Sequence, residues 1–406
     1  MTYAVIAGGG TAGHVVPGLA IARALVERGH DPGSLHFVGS RAGIEARLVP
    51  AAGFRLTALP GRGIQRRLTA ENLAAAAGLS RAVGAAMALL RRERPRVVVS
   101  VGGFASVPCA LAAATLRVPI VVHEQNAVPG AANRLVAPLA KASAVSYPGT
   151  ALPRAVVTGN PVRPEVLAAV RTADRAGARA ALDLPADRQV VAVFGGSLGA
   201  MRLNVAVLDV LGEWAARDDL ALHHVVGERD WQLVTSCLPG LGFGPAPVGG
   251  VDGADAQDDP PDDPPDDPGE GGRGRWVPAG GQGLDYRAVR YEDRMADLLV
   301  AADLFVCRAG GNTVAELAVA GAPAVLVPLP GAPGDHQTAN AMALAGAGAA
   351  VVVPDAELDG RRLAGEAGPL LSGPERLAGM ARAAHSLARP EAADHIAALV
   401  EEHARG

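Results

Sequence analysis

Four times in this 406-residue chain an apolar, β-branched run ends in a glycine turn that opens into a helical pattern. The turns are "GGGTAGH" (8–14), "SVGGFASVP" (100–108), "FGGSLGA" (194–200) and "CRAGGNTVAEL" (307–317). Strand, tight turn and helix is the unit of a parallel sheet, because parallel neighbours need a long crossover between them. Short apolar runs at 3–7, 35–38, 54–58, 96–101, 118–122, 143–146 and 155–158 predict strands. Leu19, Ala22, Leu25 and Val26 keep helical spacing until Arg28-Gly29 stops them. "TGNPVRPE" (158–165) breaks the rhythm, which restarts at "QVVAVFGG" (189–196) with further runs near 220–226, 286–290, 304–307, 323–327 and 349–353. The pattern predicts an α/β chain of two Rossmann-like, doubly wound parallel-sheet domains that face one another across a cleft. A last helix, about 391–404, is left free by the pattern to pack on either domain.

Charge is divided unevenly between the halves. Residues 1–160 carry 17 Lys and Arg against 6 Asp and Glu, whereas the rest carries 20 against 35. A basic half calls for an anionic partner, either a phosphate or a membrane surface. No aromatic residues interleave with the basic ones, which argues against nucleic acid. The 97–116 run has no charged residue, yet Gly102-Gly103 and Pro108 interrupt it, so strand, turn and buried helix fit it better than a membrane span. Residues 62–96 set Ile64, Leu68, Leu73 and Leu79 among Arg62, Arg66, Arg67, Arg81, Arg91 and Arg92. Such a ridge either lies on anionic lipid or packs on the sheet with a basic rim. Cys109, Cys237 and Cys307 lack metal-ligand spacing and read as thiols of a reducing compartment. The first residues lack a basic stretch before an apolar run, so no signal peptide is expected. Residues 240–283 include "DDPPDDPPDDPGEGGRG" and are expected to be a disordered insertion, too poor in apolar surface to offset their chain entropy.

A glycine turn at a helix N-terminus offers backbone N–H groups and the positive end of a dipole to an anion. Gly8, Gly10 and Gly13 also fit the dinucleotide fingerprint, but Ser40-Arg41 follows the next strand where a ribose-binding carboxylate belongs. Arg41 leaves a 2′-phosphate open as an alternative. Four such turns exceed the needs of one dinucleotide and suit a diphosphate donor with a charged acceptor. His14, at the first helix start, is a helix cap or a general base. "VVHEQNAVPG" (121–130) ends a buried strand in polar residues suited to ligand contact or to bonding between the domains, and Glu124 within it is a second candidate base. Arg163 reaches a phosphate or braces the linker. Glu316, one turn into its helix, either accepts two ribose hydroxyls or is simply a favourable charge near a helix N-terminus, and "GDHQTANA" (334–341) adds groups suited to sugar hydroxyls. No Walker lysine is present, Lys141 being the only lysine.

Taken in order, "GGGTAGH", "GGF", "HEQN", "GNPVR", "GGSLGA", "RAGGNTVAEL" and "DHQTAN" resemble the MurG-type peptidoglycan glycosyltransferases, glycosyltransferase family 28 of the GT-B superfamily. The resemblance covers the chain outside 240–283. It implies an inverting hexosyltransferase that moves GlcNAc from UDP-GlcNAc to the C4 hydroxyl of an undecaprenyl-pyrophosphoryl-MurNAc-pentapeptide, with no cofactor and no obligatory metal. It implies an acceptor- and membrane-facing domain of residues 1–162 plus 389–406, and a UDP-GlcNAc-binding domain of 163–388. Donor contacts would come from Thr11, Ala12, Gly13, Asn126, Arg163, Ser197, Ala309, Gly310, Thr313 and Gln337. Glu316 would hold the ribose, and the surroundings of Glu292 and Met295 the uracil. Gly10, Gly102, Gly103 and Ser106 would receive the acceptor diphosphate. The expected location is peripheral, on the cytoplasmic face of an anionic inner membrane. The chain departs from the family pattern at Ala12, Leu198 and Ala309, where Gly, Gln and Ser are frequent. An epimerase on the same fold, an NADP-dependent oxidoreductase and a non-catalytic sugar-nucleotide sensor are the competing classes.

Overall fold

The computed structural model describes residues 2–40, 43–60, 71–196, 199–246 and 272–405, the side chains of 71–77 excepted. The chain runs β1 (Ala4–Gly8), α1 (Ala12–Glu27), β2 (Leu35–Ser40), α2 (Glu45–Ala51), β3 (Arg55–Leu59), α3 (Glu71–Glu93), β4 (Val97–Gly102), α4 (Ser106–Thr115), β5 (Ile120–Glu124), α5 (Ala131–Val136), β6 (Ala142–Val145) and β7 (Ala155–Val157). It continues through α6 (Pro164–Thr172), α7 (Arg175–Ala181), β8 (Gln189–Phe194), α8 (Met201–Trp214), β9 (Leu220–Val225), α9 (Trp231–Cys237), β10 (Phe243–Pro245), β11 (Arg273–Pro278), β12 (Asp285–Val289) and α10 (Met295–Ala301). Then come β13 (Leu304–Cys307), α11 (Gly311–Ala320), β14 (Ala324–Leu326), α12 (His336–Gly346), β15 (Ala350–Val352), α13 (Gly360–Leu371), α14 (Pro374–Ser386) and α15 (Ala392–His403).

The first sheet is parallel throughout, in the order β3-β2-β1-β4-β5-β6-β7. The second runs β10-β11-β12-β9-β8-β13-β14-β15. The order reverses between β1 and β4 in one sheet and between β8 and β13 in the other. Those four strands are the ones that end in glycine turns. An open α/β sheet has its ligand crevice at such a reversal, so the turns mark the two crevices before any side chain is considered.

Helices cover both faces of each sheet, which is why the strands read as continuous apolar runs rather than alternating ones. On the first sheet, Ile6, Phe37 and Val99 pack against Ile21 and Leu25 of α1 and Ile396 and Val400 of α15. On its other face Val98 and Val122 meet Leu89 and Leu90 of α3 and Cys109 of α4. In the second sheet Val191 and Leu222 pack under Val207, Leu211 and Leu370, while Val190 and Phe305 pack under Leu298, Leu317 and Leu344. Each buried Val, Leu or Ile is worth about 1.5–3 kcal/mol of transfer free energy. The 97–116 run divides into β4 and α4, and among the described residues no helix is long and apolar enough to cross a membrane.

Two stretches depart from the sequence reading. The proposed insertion, 240–283, is too wide. β10 and β11 lie at its two ends and pair antiparallel, Phe243 opposite Pro278 and Pro245 opposite Trp276. Phe243 and Trp276 are buried and pack around Tyr286, edge-on and tilted, at ring distances of 6.3 and 6.0 Å. The aromatic area of these two residues outweighs the acidic, proline-rich composition beside them. Residues 247–271 lie outside the described residues. The 158–165 stretch, read as a linker, is also not free. Thr158, Asn160 and Val162 are buried, and Gly159 (φ +88°) lies against the return crossing, where a Cβ would stand 2.5 Å from Arg389 Cβ and 3.2 Å from Ala392 Cβ. Beyond that crossing α15 packs on α1 and β5 of the first sheet. Arg28 fixes it there through Asp394 and Glu401 at 2.7 Å each, and His30 joins Glu401 at 2.9 Å.

Candidate active site

The first two glycine turns pack on each other. Gly9 N donates to the Gly102 carbonyl at 3.3 Å. A Cβ on Gly103 (φ +83°) would stand 2.2 Å from the Gly9 oxygen, so only glycine permits the approach. The His14 ring lies over this junction. A Cβ on Gly102 (φ +92°) would meet His14 Cδ2 at 2.8 Å and Nε2 at 3.0 Å. His14 Nδ1 is 3.1 Å from the Gly9 carbonyl and 3.2 Å from Thr11 Oγ1. A carbonyl only accepts, so Nδ1 carries the proton and Nε2 keeps its lone pair. Burial lowers the His14 pKa below its usual value, against the opposing pull of Glu124, the Gly9 carbonyl and Glu45. The imidazole is thus neutral near pH 7 and accepts at Nε2.

Several expected contacts are satisfied from within the protein. Gly10 was expected to meet the acceptor diphosphate, but its N–H donates to Glu45 Oε2 at 2.8 Å. Buried Ser106 turns its hydroxyl to the Gly103 carbonyl at 2.7 Å. Glu124, the second candidate base, is buried with both oxygens engaged. Asn126 N and Nδ2 donate to Oε1 at 3.0 and 3.2 Å, and Gly130 N and Asn133 Nδ2 donate to Oε2 at 2.9 Å each. A carboxylate with four N–H donors holds its loop and has no lone pair aimed outward, which corrects that reading. Glu292 points into the second domain, where His223 (3.0 Å), Arg273 (2.9 Å) and the Arg294 N–H (2.9 Å) bind it. Burial alone would raise its pKa, but these three partners hold it at about 2. The carboxylate is thus held within the second domain, while Glu292 itself, with Tyr291 and Met295, still lines the cleft between the domains.

Polar side chains also join the domains. Asn340 of α12 donates Nδ2 to Asn126 Oδ1 at 3.0 Å and to the Ala309 carbonyl at 3.1 Å, and its Oδ1 accepts from Ala127 N at 2.8 Å. Asn160 links His123 (3.1 Å) to Asn312 (2.9 Å), and Asn312 Nδ2 reaches the Ala12 carbonyl at 3.3 Å. Gly311 sits where a Cβ would lie 2.7 Å from the Gln125 carbonyl. Gln337 Oε1 accepts from Ala309 N (3.2 Å) and Leu329 N (3.0 Å). Asn126, Ala309 and Gln337, the expected donor contacts, take part here in the bonds of the seam and its turns. Sequence reasoning did not single out Asn160, Asn312 or Glu45.

Beside this seam a cavity of about 510 Å³ opens between α1 and α2 on one wall and the β8 turn, residues 290–295 and the start of α11 on the other. Ala12, Arg163, Met295, Asn312, Thr313 and Glu316 line it. Arg163 and Glu316 are paired on its wall at 2.7 and 3.1 Å. Thr11 is exposed beside His14, Gly13 is half-buried in the first turn of α1, and Gly310 caps α11. Ser197 and Arg41 lie outside the described residues. Among the described residues no group of three His, Cys, Asp or Glu is placed to hold a metal ion.

Two Rossmann-like domains facing one cleft at both switch points define the GT-B architecture, which glycosyltransferases share with sugar-nucleotide epimerases. The model of the glycosyltransferase family 28 N-terminal domain matches residues 4–145, and that of the C-terminal domain matches 276–396. A UDP-N-acetylglucosamine–N-acetylmuramyl-(pentapeptide) pyrophosphoryl-undecaprenol N-acetylglucosamine transferase of Desulforudis audaxviator is 36% identical over 98% of this chain and 97% of its own. The same-named protein of Alkalilimnicola ehrlichii is 39% identical over 99% of both. Among solved structures, Acinetobacter baumannii MurG superposes with a TM-score of 0.71 at 27% identity, covering 99% of this chain and 100% of that one. The glycosyltransferase of kitacinnamycin shares the fold alone, with a TM-score of 0.63 at 18% identity over 100% of this chain and 99% of that one. The chain belongs to glycosyltransferase family 28.

Proposed function

We propose that this chain transfers N-acetylglucosamine from UDP-GlcNAc to the C4 hydroxyl of undecaprenyl-pyrophosphoryl-MurNAc-pentapeptide, the step from lipid I to lipid II. The relatives' names supply the substrates. The observation that carries the mechanism is the His14 ring, whose Nδ1–H is held by the Gly9 carbonyl and whose Nε2 lies over Gly102. Nε2 takes the acceptor hydroxyl proton as that oxygen attacks the anomeric carbon from the side opposite UDP. The new C–O bond forms as the bond to the diphosphate breaks, which inverts the centre.

The donor occupies the cleft, whose volume suits a ligand of this size. Glu316 accepts the ribose hydroxyls and Arg163 holds it in place. Asn312 and Thr313 belong to the first turn of α11, whose positive end stabilises the charge building on the diphosphate. The α4 N-terminus, with Gly102 and Gly103 beside it, offers the same chemistry to the acceptor diphosphate. UDP release from UDP-GlcNAc, measured with and without a lipid I analogue, tests the reading. Release that depends on the analogue and yields the disaccharide supports it. Release without acceptor points to an epimerase or hydrolase, and binding without release to a sensor.

We infer in addition that the chain works at the cytoplasmic face of an anionic membrane. α3 buries Ala82, Ala86, Leu89 and Leu90 against the sheet and exposes Arg81, Arg91 and Arg92. Ile64, Leu68, Arg62, Arg66, Arg67 and the Leu73 side chain lie outside the described residues. Exposed arginines on a surface with a net positive half bind anionic headgroups at about 1 kcal/mol each. Vesicle flotation that requires anionic lipid and weakens with salt supports this, and indifference to both sinks it.

A further inference from the structure

Three glycines of the first domain clear a space for one buried carboxylate. A Cβ on Gly9, Gly39 or Gly43 would stand 2.2, 2.5 or 2.0 Å from the Glu45 side chain. Glu45 is 1% exposed. Its Oε1 accepts from Ser40 N at 2.7 Å and Ser40 Oγ at 2.8 Å, and its Oε2 accepts from Gly10 N at 2.8 Å. Burial raises its pKa, but the Ser40 and Gly10 N–H bonds more than offset this and keep the pKa below the usual carboxylate range. Glu45 is therefore ionised at neutral pH.

Gly10 N and the Gly9 carbonyl belong to one peptide group. Its N–H points at Glu45, and its oxygen accepts Nδ1–H of His14 at 3.1 Å. The order is carboxylate, peptide N–H, peptide C=O, imidazole Nδ1–H, with Nε2 at the far end, over Gly102. A carboxylate on the N–H end of a peptide increases the electron density on its oxygen, so each bond in the chain strengthens the next. We propose that Glu45 is a positioning residue for the transfer reaction: acting through the Gly9–Gly10 peptide, it fixes the tautomer and the orientation of His14. This rests on the reading of His14 as general base. It gives glycines 9, 39 and 43 a common cause, since each makes room for the carboxylate.

Charged and titratable groups face His14 from three other elements: Glu45 from α2, Glu124 and His123 from β5, and His336 from α12 of the second domain. Glu45 stabilises the imidazolium. Removing its charge lowers the pKa of the base and moves the acid limb of the rate profile to lower pH.

The test is Glu45→Gln in the full chain. Turnover is expected to fall about tenfold or more, with KM for UDP-GlcNAc within twofold and the acid limb shifted downward. Nitrogen-15 NMR of histidine-labelled protein, assigned with His14→Ala, gives a readout independent of turnover. The wild type is expected to show protonated Nδ1 and bare Nε2, and Glu45→Gln a growing share of the opposite tautomer. An unshifted limb together with an unchanged tautomer would overturn the proposal. Should Glu45→Gln fail to fold, Thr11→Ala decides by the same spectrum, because it removes the other Nδ1 neighbour at an exposed position. An unchanged tautomer leaves the Gly9 peptide in control, and a switched one places control with Thr11 and ends the proposal. If His14→Ala keeps full turnover, the base assignment fails, while the tautomer spectra still judge the Glu45 link on their own.

Discussion

Arg163 and Glu316 meet in a two-pronged ion pair, Nε to Oε1 at 2.7 Å and Nη2 to Oε2 at 3.1 Å, at the point where the chain enters the second domain. One partner caps α6 and the other lies in the second turn of α11, so the pair ties the interdomain crossing to the wall of the cleft. Fork-to-fork geometry fixes the carboxylate plane as well as its position. A ribose presented to Glu316 then finds an oriented acceptor.

Removing either partner separates a structural from a binding contribution. Arg163→Met leaves a carboxylate whose side chain is 11% exposed without its cation. The cost is on the order of 2–3 kcal/mol, below the figure for a fully buried pair because the guanidinium is 27% exposed. Glu316→Gln added to Arg163→Met is expected to restore most of the lost stability in urea titrations. Donor KM is expected to stay raised, because the double variant also lacks the carboxylate proposed to accept the ribose hydroxyls. Recovery of KM in the double variant would show that Glu316 acts only as a brace.

His14 is expected to set both the rate and its acid limb. A general base contributes typically about 10²–10⁴-fold, so His14→Ala lowers turnover by that range with donor KM little changed. Burial holds the His14 pKa below its usual value, and the base works in its neutral form. Activity is therefore retained as pH falls below the ordinary histidine range and is lost only as it passes through the lowered pKa. A kcat/KM profile with its acid midpoint above 6.5 would contradict this assignment.

How much of this was visible in the sequence depends on what each residue does. The parallel sheets were legible because buried strands leave long β-branched runs such as Val97–Val101, and the four turns because glycine spacing is a local signal. The antiparallel ends at Phe243 and Trp276 were missed, since two isolated aromatics that join the second-domain core beside Trp231 and Tyr286 carry no periodicity of their own. Site composition was legible and site contacts were not. "HEQN" and "DHQTAN" are polar where a buried strand ends, yet nothing local tells a ligand contact from a bond to the other domain. Asn126 and Asn340 bond each other across 214 positions. Glu45 gave no signal at all, because a charged residue near a helix start usually means solvent. Only the three glycines that crowd it reveal the burial, and two of them, Gly9 and Gly43, lie in different loops.

Asn340 is expected to control the seam between the domains. Asn340→Ala leaves Ala127 N, Asn126 Oδ1 and the Ala309 carbonyl without their present partner. Each orphaned buried group costs about 1–3 kcal/mol unless water reaches it. The domains should part enough for water to enter, seen as a larger radius of gyration in small-angle scattering together with a lower melting temperature. Asn340→Asp keeps one acceptor for Ala127 N but turns its other oxygen, buried and without a cation, toward Asn126 Oδ1 and the Ala309 carbonyl, so it is expected to disrupt the seam at least as much as alanine. An unchanged scattering curve in both variants would place the grip between the domains elsewhere, at Asn160 and Asn312.

Stability in acid should be governed by histidines buried in the sheets. His224 is fully buried between Tyr286 OH and Asn204 Oδ1, 2.9 Å from each, and burial lowers its pKa to about 3, with a lesser push from the neighbouring His223. The unfolded chain binds this proton near 6.5, the folded chain only near 3, so stability falls as pH drops between those values. The loss is about 1.4 kcal/mol per pH unit for one such group. Glu292 acts in a lower window: its pKa of about 2 contributes stability that is complete above 4.5 and is lost as pH falls toward 2. Urea midpoints between pH 6 and 4.5 therefore isolate the histidines. His224→Phe sacrifices two hydrogen bonds at every pH, so its absolute stability is lower throughout. The telling quantity is the slope, which should flatten by about 1.4 kcal/mol per pH unit in that interval. A slope equal to wild type would mean that the folded protein already accommodates a charged His224, and the acid sensitivity would then fall to His123, whose pKa burial also lowers.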